Sequence, residues 1–155
     1  MGQEDTPDGD DVAAFLEDLA LMAIRHISVR DISFTTASTL GRLDRLGPAR
    51  LTDLAGAESV AQPSMTQLVQ RLERQGLVTR VRDPGDGRVV LVSITDAGRE
   101  LMRRRRATRV KLLGGLLDGL SEADRQALAE VARLGAGPLR RLVENASAPA
   151  ADRTG

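Results

Sequence analysis

Between positions 62 and 74 the chain sets Gln62, Ser64, Thr66, Gln67, Gln70, Arg71 and Arg74 among four apolar residues, Met65, Leu68, Val69 and Leu72. The apolar four recur at i, i+3, i+4 and i+7, the spacing of one buried helix face, which leaves amide, hydroxyl and guanidinium groups on the other. Such groups match the donor and acceptor edges that base pairs present in the major groove of B-DNA. Gln67 or Gln70 can bond an adenine edge bidentately and the Thr66 methyl can meet a thymine methyl, each good pair giving about 1 to 3 kcal/mol of discrimination. Free N–H groups at the helix start, near Ser64 and Met65, can hold a phosphate with help from the helix dipole. Arg71 and Arg74, farther along, suit a backbone phosphate or an internal ion pair.

A second set of residues follows on two β-prone runs, Leu77 to Arg82 and Val89 to Ile94, separated by the turn-formers Asp83-Pro84-Gly85-Asp86-Gly87. This reads as a hairpin with an exposed tip. Arg88, just past the loop, has the chemistry to enter a minor groove, where narrow A·T-rich segments concentrate negative potential. Asp86 and Arg88 can equally pair across the turn, and Arg82 can support the hairpin or a phosphate. The elements that must position these groups are legible nearby. Pro63 suits a first helical position and Gly76 a left-handed residue closing the helix, giving a helix over 63–75. Thr95 reads as the N-cap of a long helix opening Asp96-Ala97-Gly98.

The order Leu54-Ala55, Pro63-Ser64-Met65-Thr66, Arg71-Leu72-Glu73-Arg74-Gln75-Gly76-Leu77-Val78, Asp86-Gly87-Arg88 and Ile94-Thr95-Asp96-Ala97-Gly98, followed by a long helix, resembles the MarR family of winged helix-turn-helix regulators over about residues 33 to 120. The resemblance implies a mainly α fold with a small β-hairpin wing and N- and C-terminal dimerisation helices. It implies a homodimer on a pseudo-palindromic operator in double-stranded DNA, a repressor relieved by a small aromatic or phenolic effector, with Arg88 in the minor groove and Asp86 helping to hold it. Met22, His26, Phe34 and Leu40 are the candidate lining of an effector crevice between the dimerisation and DNA-binding parts. The DNA-contacting set is then Gln62, Ser64, Met65, Thr66, Gln67, Gln70, Arg71, Arg74, Arg82, Asp86 and Arg88. One departure from the pattern is Ala61, where related sequences often carry a capping serine; the cap here is expected from Gln62 or from water. A winged-helix module that docks protein through the same polar helix is the other reading.

Composition narrows the alternatives. The 155 residues carry a net charge of zero, but the charges are segregated: residues 1–18 hold seven acids and no base, while residues 41–111 hold 15 basic against 8 acidic side chains, a balance of +7. A local basic field of this kind suits phosphate. The chain has no cysteine and one histidine, which argues against disulfides, thiol-based oxidant sensing and a zinc site. There is no nucleophile with a paired base and no phosphate-binding glycine loop, so an enzyme, a metal and a cofactor are not expected. Without a run of eighteen apolar residues or a basic-then-apolar leader, a cytoplasmic location with no membrane partner is expected.

Along the chain, the pattern predicts a disordered acidic tail over 1–10 and an N-terminal dimerisation helix within 11–32. It assigns the winged helix-turn-helix to 33–96, C-terminal dimerisation helices to 97–145 and a second tail to 146–155. Helix 33–46 is expected to bury Phe34, Ala37, Leu40 and Leu43, and Thr52 to cap a short helix over 53–57. Arg103 to Arg106 read as a solvated basic band that pairs with acids such as those of the N-terminal segment. Gly135-Ala136-Gly137-Pro138 predicts a kink or break in the last helix. The outer helices carry leucine-rich faces that a small winged unit cannot cover, so they need a partner.

Overall fold

The computed structural model describes residues 8–26 and 31–147. Six helices and one hairpin follow in the order α1 (Gly9–His26), α2 (Phe34–Leu46), α3 (Leu51–Ala57), α4 (Gln62–Arg74), β1 (Val78–Arg82), β2 (Val90–Ile94), α5 (Asp96–Leu117) and α6 (Glu122–Ser147). The fold is the expected winged helix-turn-helix with helices before and after it. The tails expected over 1–10 and 146–155 fall mostly outside the described residues; where they overlap, helix already begins at Gly9 and continues to Ser147.

The core is built by α2, α3, α4 and the hairpin. Leu40 and Leu43 from α2, Leu54 and Ala55 from α3, and Met65, Leu68, Val69 and Leu72 from α4 meet Val78, Val92 and Ile94 of the sheet. Leu101 and Met102 of α5 lie against this cluster. β1 and β2 pair antiparallel with Val78 opposite Ile94 and Arg82 opposite Val90. Ala49 adds a one-residue rung on the other edge of β2, exchanging both backbone hydrogen bonds with Val92 at 3.0 and 2.8 Å. That rung stitches the wing to the α2–α3 connection.

Local chemistry explains most boundaries. Ser33 caps α2, its Oγ accepting the Thr36 N–H at 3.2 Å. Gly47, with φ of 85°, releases the chain from α2 in a conformation that only glycine adopts without strain. Gly76, with φ of 71°, does the same after α4. Thr95 caps α5 as expected.

Several expectations need correction. Phe34 is 87% exposed, and α2 buries Thr36 and Thr39 beside Leu40 and Leu43; the stripe follows the 3.6-residue turn, and Phe34, at the first position, projects beyond the core it was expected to join. α3 starts at Leu51 from Arg50, with no side-chain cap; the Thr52 hydroxyl bonds Asp53 instead. α6 runs as one helix through Pro138, so of the kink or break expected there the break does not form. Proline there forfeits the one backbone hydrogen bond its missing N–H would have given.

The terminal helices stand apart from the core. α1 has no buried residue, and Val12, Phe15, Leu19 and Ile24 are exposed on it. On α6, Leu128, Val131, Leu134, Leu139, Leu142 and Val143 are exposed too.

Candidate nucleic-acid interface

α4 buries Met65, Leu68, Val69 and Leu72 and turns its remaining side chains outward. Gln62, Ser64, Gln67, Gln70, Arg71 and Arg74 are exposed and Thr66 is half-exposed. Met65 is corrected: it has no exposed surface and belongs to the core, so its side chain is closed to DNA. Its N–H is also engaged, donating to Ala61 O at 3.1 Å. The N–H groups left for an anion at this helix start are those of Gln62 and Ser64, because Pro63 has none.

Ala61 is the N-cap residue and gives α4 no side-chain cap. The Gln62 side chain does not take over the role either, since no cap bond from it is formed; the Gln62 backbone carbonyl accepts the Thr66 hydroxyl at 2.9 Å. That bond directs the Thr66 oxygen back along the helix. Arg74 is partly committed, donating from Nε to Gln70 O at 3.3 Å.

In the wing, the loop is organised by two aspartates. Asp83 Oδ1 accepts the N–H of Gly85 at 2.8 Å and of Asp86 at 3.4 Å. Asp86 Oδ1 in turn accepts the Arg88 N–H at 3.0 Å. Backbone bonds from Asp83 N–H to Val89 O and from Val89 N–H to Asp86 O, both 2.9 Å, close the tip. Asp86 therefore grips the backbone of Arg88, while the guanidinium stays clear of it. Among the described residues no hydrogen bond or ion pair engages the side chains of Arg71, Arg82 or Arg88. Three exposed cations thus remain open to an anionic partner.

Two contributors escaped the sequence reading. Arg80 on β1 forms an ion pair with Glu73 of α4 at 3.2 Å, tying wing to helix. Glu73 lies in the motif run and Arg80 in the first β-prone run, but only their proximity in space shows the pairing. Asp83 begins an Asp-Pro-Gly turn, a signal that could have marked it as the loop's organiser.

The arginine band at 103–106 is also corrected. Arg103 and Arg104 reach Glu100 on their own helix, and Arg106 is exposed. Arg105 is buried and pairs with Asp31. Four consecutive residues point around the helix, so one of them meets the core side.

The four residues named for an effector crevice differ in their burial within the protomer. Leu40 is fully buried in the core, Phe34 and His26 are exposed, and Met22 is half-buried on α1. Among the described residues, no helix is long and apolar enough to cross a membrane.

Comparison with known proteins fits this geometry. The profile of the MarR family matches residues 32–90. The HTH-type transcriptional regulator Mb0904 of Mycobacterium bovis is 36% identical over 103 residues, which cover 66% of this chain and 72% of that protein. The HTH-type transcriptional repressor NicR of Pseudomonas putida is 38% identical over 64 residues, covering 41% of this chain and 40% of NicR. Among solved structures, the transcriptional regulator Tm0710 from Thermotoga maritima has the same fold, with a TM-score of 0.73 at 24% identity over 87% of this chain and 98% of its own. The chain belongs to the MarR family of winged helix-turn-helix, DNA-binding transcriptional regulators.

Proposed function

We propose that the chain acts as a homodimeric, sequence-specific repressor, with residues 33–96 as the DNA-reading unit. α4 enters the major groove with Gln62, Ser64, Thr66, Gln67 and Gln70 at the base edges, and Arg71 and Arg74 toward the phosphates. Arg82 steadies the wing on the backbone, and Arg88 enters the minor groove. The observation that carries this reading is the wing tip, where Asp86 fixes the Arg88 backbone and, among the described residues, leaves its guanidinium without a protein partner. A guanidinium held at an exposed tip in this way is free to meet an anionic groove.

The exposed apolar faces of α1 and α6 support dimerisation, with the segments 11–32 and 97–145 as the arms. Two-fold symmetry then sets two α4 helices on successive major-groove turns, with half-sites roughly 34 Å apart. The repressor reading draws on the likeness to NicR, which is named as one. Relief by a small aromatic or phenolic effector follows from family resemblance, and such a ligand acts only through unequal affinity for two states. Met22, His26 and Phe34, outside the protomer core, are the lining we assign to it once a second copy closes the crevice. Their helices belong to the cytoplasmic regulator expected from the sequence.

Fluorescence anisotropy of the purified protein on the duplex flanking its own gene, beside a scrambled duplex and at two salt concentrations, tests the reading. Preference for the native duplex by about a thousandfold or more supports a specific regulator. Weak and equal binding to both, with a flat salt dependence, would favour a module that docks protein through α4 instead.

A further inference from the structure

The chain enters the winged unit at Asp31, just ahead of the Ser33 cap of α2, and leaves it along α5, whose Leu101 and Met102 lie against the core. One turn beyond Leu101 comes Arg105, only 6% exposed, and from Arg106 onward α5 has no buried side chain. Arg105 forms an ion pair with Asp31, whose side chain is 45% exposed. This pair therefore links the residue at which the chain enters the winged unit to the helix along which it leaves.

Burying a guanidinium carries a heavy desolvation cost, and an apolar side chain of similar volume would fill the same space without it. Burial, and then the charge of nearby Arg109, hold the Arg105 pKa below the usual arginine value. What the charge adds over an apolar residue is direction, because a guanidinium–carboxylate pair has a preferred geometry that dispersion contacts lack. The neighbouring contact of α5 with α2 has little of this. A Cβ at Gly41 would lie 3.6 Å from Met102 Cε, so the α5 side there is a flexible thioether facing a residue without a side chain.

We infer that Asp31 and Arg105 are positioning residues for DNA binding: their ion pair fixes the angle at which α5 leaves the winged unit, and so the separation of the two α4 helices. The effect on operator binding rests on the proposed dimeric function; the fixed angle within one protomer does not.

Absence of native cysteine allows spin labels at Gln75→Cys and Lys111→Cys, both exposed, on the winged unit and on the far half of α5. Labelled chain diluted into a large excess of unlabelled chain gives one intraprotomer distance by pulsed electron resonance. The expected result is a narrow distribution that Asp31→Asn and Arg105→Met each broaden or shift by several ångströms, and that Asp31→Glu preserves. The same two variants should bind a duplex carrying two half-sites about tenfold more weakly while binding a single half-site as before. Native distances and native two-site affinity in both variants would overturn the inference, as would equal losses on one half-site and two. Should Arg105→Met lose helical circular dichroism, Asp31→Asn, at the exposed end of the pair, decides alone. Shifted distances in a protein that binds no duplex would sustain the fixed angle and defeat the proposed function.

Discussion

The Thr95 hydroxyl donates to Gly76 O at 2.6 Å and accepts the Gly98 N–H at 3.1 Å, so one side chain caps α5 and ties it to the residue that ends α4. The Thr95 N–H adds a third link, to Leu77 O at 3.0 Å. The exit of α4 and the start of α5 are thereby fixed to each other across the base of the wing. Thr95→Ala removes the cap and leaves a carbonyl acceptor short of a donor, which should cost about 1 to 2 kcal/mol. Thr95→Ser should recover most of it. Urea unfolding at matched protein concentration checks both, and equal midpoints for Thr95→Ala and the native protein would refute the linkage.

Gly98 is required for space. A Cβ there would overlap Leu77 O and come within 2.7 Å of Ile94 Cγ1. Neither atom yields easily, because Leu77 O already accepts the Thr95 N–H and Ile94 is buried in the core. Gly98→Ala should destabilise by about 2 to 3 kcal/mol as an overpacked site. Gly56→Ala in α3, where nothing lies within 4 Å of the new methyl, should instead stabilise by about 0.5 to 1 kcal/mol. Thermal unfolding of the pair reads the contrast; a shift of the same sign in both would contradict it.

Ser59, in the turn between α3 and α4, has a φ of 53°. A non-glycine residue held there costs on the order of 1 kcal/mol. Ser59→Gly should therefore raise stability by about 0.5 to 1 kcal/mol, after allowing for glycine's greater freedom when unfolded. Ser59→Val, branched at Cβ, should lower it. The same denaturation assay applies, and a loss of stability in Ser59→Gly would mean that the Ser59 side chain supplies something the backbone geometry does not reveal.

Where one face is buried, the sequence was informative. The Met65, Leu68, Val69, Leu72 stripe and the alternation in Val78 and Val92 to Ile94 predict α4 and the wing because burial enforces the period. Thr95 was legible because a cap is a local interaction. Phe34, Arg105 and the Ala49 rung were not, for one shared reason: each depends on which distant segment packs nearby. Phe34 looks like core by type and is 87% exposed, whereas Arg105 looks like surface and is buried beside Asp31. Of the proposed contact set, periodicity gave the outward face of α4 and already put Met65 on the inward stripe where it lies; Met65 entered the set with the family resemblance, against that period.

Asp86 and Arg88 give the sharpest prediction at the wing, because electrostatics and geometry disagree in sign. By charge alone, Asp86→Ala removes a negative group near DNA and should tighten binding. By geometry, it removes the acceptor that holds the Arg88 N–H at 3.0 Å and loosens the tip, weakening binding by about 0.5 to 1.5 kcal/mol. We expect the geometric effect to win at moderate salt, where a lone exposed charge is largely screened. Arg88→Ala should weaken duplex binding more and reduce the slope of log K against log salt by about 0.9 if its guanidinium neutralises one phosphate equivalent. If Asp86 acts only through Arg88, the double variant should bind no more weakly than Arg88→Ala alone. Anisotropy titrations of the three variants at matched salt measure the cycle. Additive losses would show that Asp86 supports the wing by another route, and tighter binding by Asp86→Ala would show that its charge matters more than its grip on Arg88.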